Sequence, residues 1–176
     1  PRINASGRMG HQEDALQLFL SKDINEVNEL TQKLNEYNKI RQDTEKSIYS
    51  DAIFQIEQNN LAEKNTIVVM GKNWHHGVIG IVASRLMENF GMPVFIISIK
   101  DGEARGSSRA FGDFSVFEAL KYSKDVLTKF GGHQCAGGFS LLPENIEKFD
   151  ELLQRYAAEN NNDMPVFTIN ADALLM

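Results

Sequence analysis

The chain has 176 residues and a hydrophobic fraction of 42%, enough for one medium domain or two small ones with a packed core. No apolar run approaches the about 18 residues of a membrane span, and the first residues lack the basic, apolar, small order of a signal peptide; Cys135 is the only cysteine, which excludes an internal disulfide and a thiolate zinc cluster, so a cytoplasmic location is expected. The formal charge of −6 argues against a polyanionic partner until its distribution is read: residues 65–143 carry eight basic and six acidic groups, and the acid excess lies in 12–64 and 144–176.

In chain order, "PRINASGR" is predicted to be irregular, because Pro and Gly oppose a helix; it displays Arg2, Asn4, Ser6 and Arg8, or else is a solvated tail. A short helix is predicted over 14–20. Ile24, Val27, Leu30, Leu34, Tyr37, Arg41, Ile48, Ala52 and Ile56 then recur every three to four residues, which predicts one long amphipathic helix acting as a connector, rather than two shorter helices. "TIVVMG" reads as a buried strand and "GVIGIVASRLMENFG" as a helix stopped by Gly91. "MPVFIISIK" is the next strand, "EARGSSRAFG" a further strand running into a loop, and "SVFEALKYSKDVLTKF" a helix. "AGGFSLL" is a strand, "PENIEKFDELLQRYAAEN" a helix with Pro in its first turn, and "PVFTIN" a last strand. The alternation predicts an α/β unit built on a mainly single sheet. Both ends are expected to continue into a longer protein.

Four segments carry chemistry. In "NWHHGVIG", His75 and His76 precede a helix whose first turns hold Gly77 and Gly80, an arrangement that admits an anion at the helix start; the alternative is a turn whose histidines only cap or pack. In "ARGSSRA", Ser107 and Arg109 share a face of a strand of period two, and hydroxyl plus guanidinium make a phosphate clamp; the alternative is an exposed edge strand with ordinary polar residues. In "GGHQCAGG", Gly131, Gly132, Gly137 and Gly138 surround His133, so the backbone can present N–H groups to an anion while His133 donates or shuttles a proton. Cys135 has no activating base and is expected to pack. The fourth segment is the start, with Arg2 and Arg8. Walker loops, dinucleotide fingerprints and nucleophile elbows are absent, and the Asp residues lie scattered along helical faces, so no metal centre is expected.

Together "PRINASGRMG", "WHHGVIGIVASRL", "GSSRA" and "FGGHQCAGG" resemble, in order and spacing over nearly the whole chain, the RecJ family of single-stranded-DNA-specific exonucleases. The resemblance implies an α/β fold, a long N-terminal connector helix followed by a mixed-sheet DHH-associated domain. It divides the chain into a linker and connector at 1–62, a substrate-binding DHH-associated domain at 63–160 and the start of an OB-type domain at 161–176. It implies 5′-to-3′ hydrolysis of single-stranded DNA in repair and recombination, with Mn2+ or Mg2+ held by a catalytic lobe outside this chain and met in cis. By the same resemblance Ser107 and Arg109 bind phosphate near the 5′ end, His133 contacts the phosphate under attack, Gly131 and Gly132 let the backbone approach, His75 is favoured over His76, and Arg2 or Arg8 adds to a 5′-phosphate pocket. The family commonly reads "GSGRS" where this chain has "GSSRA", so Ser108 replaces a glycine and Ala110 a hydroxyl. The competing readings are an oligoribonuclease or nucleotide-dimer phosphodiesterase lobe, and a non-catalytic nucleic-acid-binding module.

Overall fold

A computed structural model describes residues 1–160. Three helices lead: α1 (Arg2–Arg8), α2 (Gln12–Leu20) and α3 (Ile24–Gln58). The helix α1 corrects the expectation of an irregular start. Pro1 stands just outside the first turn, where a missing N–H costs nothing, and its carbonyl accepts from the Ala5 N–H at 2.9 Å. Gly7 falls in the final turn, and Ala5 and Ser6 are buried. The connector α3 runs unbroken for 35 residues. Asp23 caps it, accepting from the Asn25 N–H at 2.9 Å, and its buried stripe runs through Leu30, Leu34, Ile48, Ala52 and Ile56. The helices α1 and α2 pack on α3, which also packs on α4 and β1.

The rest is one mixed sheet with helices on both faces. Its strands are β1 (Ile67–Lys72), β2 (Val94–Lys100), β3 (Glu103–Arg109), β4 (Leu127–Gly132) and β5 (Ala136–Leu141), in the order β1-β2-β3-β5-β4. Strands β1 and β2 are parallel and all other pairs antiparallel. The crossover between the parallel pair is α4 (His76–Phe90), ended by Gly91 at φ 64°. One core forms where α3 and α4 cover β1 and one face of β2, through Ile56, Val69, Val78, Val82, Leu86 and Ile96. A second forms on the opposite face, where α5 (Val116–Tyr122) and α6 (Ile146–Asn160) bury Phe95, Phe139, Phe149, Leu120 and Leu153. Gly106 belongs to this second face: a Cβ there would lie 2.1 Å from the Phe139 ring, so the aromatic rests directly on the backbone of β3.

Two further expectations are corrected. The helix predicted over 115–130 ends at Tyr122, and Leu127–Gly132 is strand β4. Leu127 and Phe130 lie opposite Leu141 and Phe139 of β5, and cross-strand pairing outweighs the local helical spacing. "KFGGHQCAGG" is therefore the tip of a β-hairpin, with the end of β4, a turn at 133–135 and the start of β5, closed by the His133 N–H donating to Ala136 O at 2.8 Å. Cys135 is exposed at its tip rather than packed. The strand predicted at 165–170 lies outside the described residues.

Candidate nucleic-acid interface

Register assembles the site. Ser107 of β3 stands opposite Gly138 of β5, which stands opposite Gly131 of β4, so one serine and two glycines form a row across three strands. Directly opposed residues point to the same face, here the face on which α4 packs. The helix reaches only as far as β3. A Cβ at Gly80 of α4 would come within 3.1 Å of Ser107 Oγ and 3.2 Å of Arg109 Nη2, whereas a Cβ at Gly131 would meet nothing within 4 Å. A trough results, walled by α4 and floored by glycine backbone.

Arg109 is half-buried at one end of this trough. Its Nη1 donates to Ser108 O at 2.7 Å and to Ser107 Oγ at 3.2 Å, two bonds that fix the guanidinium and leave donors of its five for another group. Burial, and then the nearby Arg8 cation, lower its proton affinity from the usual arginine range. Arg8 reaches the same place from α1: its Nη1 donates to Gly77 O at 3.2 Å, and a Cβ at Gly77 would lie 2.1 Å from Arg8 O, so α1 is pressed onto the start of α4. Neither arginine has a carboxylate partner among the described residues. The Arg8 charge acts on Arg109 with no anion between them, and an anionic ligand would relieve that repulsion.

The remaining predicted residues divide. His133 is exposed just past the end of β4, at the sheet end where β3 finishes with Arg109. Its turn is anchored, because Gln134 O accepts from the Val116 N–H at 2.7 Å and Cys135 O from the Ala110 N–H at 2.9 Å. Gly132 is where the hairpin tightens: a Cβ there would lie 2.4 Å from Ala136 O. His75 caps α4, its Nδ1 accepting from the Gly77 N–H at 3.1 Å, so this part of the helix start is occupied by the protein itself, as the capping alternative holds. His76 is the exposed member, beside Arg105 and Lys100, and burial followed by these cations lowers its proton affinity. Arg2 is not brought to the trough; it lines a separate hollow with Ile3, Leu18 and Leu34. Ser108 faces the other way, fully buried, donating to Gly137 O at 3.1 Å. The strand β3 is central rather than an edge, which removes the bland alternative for "ARGSSRA". Arg105, present in "ARGSSRA" but given no role of its own there, and Lys129 and Ser140, which the sequence did not single out, stand on the trough face by period two along β3, β4 and β5.

Residues 63–159, more than half of the chain, match the DHHA1 domain family. The single-stranded-DNA-specific exonuclease RecJ of Bacillus subtilis (strain 168) is 36% identical over 159 residues, covering 89% of this chain and 20% of that protein. The RecJ of Thermus thermophilus is 35% identical over 158 residues, covering 90% of this chain and 22% of that protein. The crystal structure of RecJ from Thermus thermophilus in complex with Mn2+ matches with a TM-score of 0.81 at 34% identity, over 90% of this chain and 23% of that one. The chain spans about a fifth of the length of the curated relatives it matches. Among the described residues no three His, Cys, Asp or Glu side chains gather as metal ligands, so these residues do not fit the Mn2+ of that relative. Sequence match and shared mixed-sheet fold agree: the chain belongs to the DHHA1 domain family.

Proposed function

We propose that this chain is the substrate-binding lobe of a metal-dependent 5′-to-3′ single-stranded-DNA exonuclease, acting in DNA repair and recombination in the cytoplasm. Residues 1–62 serve as the connector, 63–160 as the substrate-binding domain and 161–176, outside the described residues, as the start of an OB-type domain. The observation that carries the reading is Arg109 with the Arg8 cation nearby, neither with a carboxylate partner among the described residues, beside Ser107 where α4 stops short of the open part of the sheet face. The single-stranded-DNA specificity of the RecJ relatives supports the same polyanion.

In this reading the Arg109 guanidinium and the Ser107 hydroxyl donate to non-bridging oxygens of a phosphate at or near the 5′ end, and Arg8 adds charge. Gly131 and Gly132 let the strand approach the backbone. His133 donates to the phosphate under attack, where negative charge grows as the phosphodiester bond breaks. Mn2+ or Mg2+ belongs to a catalytic lobe elsewhere in the longer protein, which closes over this face in cis.

The test is His133→Ala in the longer protein, with single-turnover hydrolysis and thermal melting measured together. A fall in rate of about 100-fold or more with an unchanged Tm is expected for loss of a transition-state donor. Full activity in a folded variant removes the role of His133.

A further inference from the structure

We propose that Arg105, Lys129 and Ser140 form a second phosphate cradle at the other end of the trough, and that Glu103 occupies it while nucleic acid is absent. The inference rests on the nucleic-acid reading above and extends the bound ligand from one phosphate to a strand.

Register builds the cradle as it builds the first site. Ser140 of β5 stands opposite Arg105 of β3 on one side and Lys129 of β4 on the other, so a hydroxyl lies between two cations in a row across three strands. These three residues and Glu103 line one hollow. Across Arg105, a second hollow is lined by His76, Lys100 and Asp101, again with Glu103 and Arg105. The local balance is three cations against two carboxylates, with a histidine on the α4 wall. Arg105 and Arg109 share a face four residues apart, about 13 Å along the strand. That is the span of about four stacked nucleotides, and of fewer in an extended strand. Between the two ends the row is Ser107, Gly138 and Gly131, so β5 and β4 contribute no side chain to the floor there.

Glu103 imitates the ligand. Arg105 directs both Nε and Nη2 at the single oxygen Oε2 of Glu103, at 3.1 and 2.7 Å, charge-assisted bonds that one phosphate oxygen can equally accept. The pair is open to solvent, with side chains 59% and 63% exposed. An ion pair so exposed adds little to stability, so exchanging the carboxylate for a polyanion costs the fold little. The partner fitting this arrangement is the phosphodiester backbone of a single strand several nucleotides long.

Binding of fluorescent 5′-phosphorylated oligodeoxythymidylates, a dinucleotide and a dodecanucleotide, to the 176-residue chain across a salt series tests the inference. Arg105→Ala and Lys129→Ala are each expected to weaken the dodecanucleotide several-fold and to reduce its log–log salt slope by about 0.7, the value for one lost phosphate contact on a single strand. Neither is expected to change dinucleotide binding. Glu103→Gln is expected to tighten the dodecanucleotide. If Arg109→Ala weakens both oligonucleotides while Arg105→Ala and Lys129→Ala leave the dodecanucleotide slope unchanged, the cradle is refuted and the first site stands. If the unsubstituted chain binds neither oligonucleotide, or Arg109→Ala changes nothing, the nucleic-acid reading fails and the cradle with it. Equal losses on both lengths, accompanied by a lower Tm, overturn the cradle in favour of a structural role.

Discussion

The same substitution, glycine to alanine, is expected to have opposite consequences on the two faces of this sheet. At Gly106 the added methyl would lie 2.1 Å from the Phe139 ring, which is only 4% exposed and packed against Phe149 at 4.8 Å and Phe95 at 6.1 Å between centroids. The ring has nowhere to move, and overpacking of this kind costs about 1–3 kcal/mol. For a chain of this size that lowers Tm by about 2–12 °C. At Gly131 the methyl would meet nothing within 4 Å, and the backbone there is outside the left-handed region. Alanine then restricts the unfolded chain and stabilises by about 0.4–1 kcal/mol. Its methyl nevertheless stands on the trough floor. Loss of close backbone approach there is expected to cost at least about 1 kcal/mol of binding, roughly a fivefold rise in Kd for single-stranded DNA. Thermal melting and fluorescence anisotropy on the two variants separate the effects. Undiminished binding by a well-folded Gly131→Ala chain would refute a glycine floor that touches the ligand, and a lowered Tm for that variant would refute the open trough itself.

The joint between connector and sheet gives a second prediction. Glu45 of α3 is buried between Arg41, one turn before it, and Arg85 of α4, which donates to Oε1 at 2.8 Å while its guanidinium lies 4.2 Å from the Tyr49 ring centre. Glu45→Ala removes hydrogen bonds between charged groups and is expected to cost about 1.5–3 kcal/mol. A double-mutant cycle with Arg85→Ala checks it: strictly additive losses would mean the pair does not couple. A third prediction concerns acid. Because His76 has its proton affinity lowered from 6.5 in the fold, the unfolded chain takes up that proton first, and stability falls as pH drops below 6.5 until the folded state is protonated as well. Urea midpoints across this range should lose that slope in His76→Gln, and an identical slope in both proteins would contradict it. Glu103 and Glu151 act in a separate window, since Arg105 and Lys148 hold their carboxyls below 4.5: their contribution is present above 4.5 and is lost as pH falls through the lowered values.

Periodic signals carried the fold where one rule acted alone. The stripe on α3, the β-branched run of β1 and the Gly91 stop of α4 are each local, and each stands where the sequence predicts it. Failure came where tertiary contact overrode local chemistry. Leu127 and Phe130 keep a helical spacing from the residues of α5, and only pairing with β5 makes them a strand. At the N-terminus, helix-opposing residues stand at the two positions, Pro1 before the first turn and Gly7 in the last, where a helix tolerates them. One signal was available and unused: Asp101-Gly102, with φ of 51° and 79°, is the two-residue turn that fixes β2 against β3. Of the candidate site, Ser107 and Arg109 were legible from period two, because both residues lie on one strand. The meeting of Arg8 with Gly77, and the removal of Arg2 to another hollow, depend on how α1 docks against α4, which no spacing encodes.

The most direct measurement of the central claim is fluorescence anisotropy of a labelled single-stranded oligonucleotide carrying a 5′ phosphate, titrated with the chain at low and moderate salt beside Arg109→Ala. Salt-sensitive binding that weakens in the variant is predicted, with a smaller salt slope, since phosphate contacts release counterions. Binding that is indifferent to salt and to Arg109, or no binding at any salt, would contradict a phosphate site at Arg8, Ser107 and Arg109.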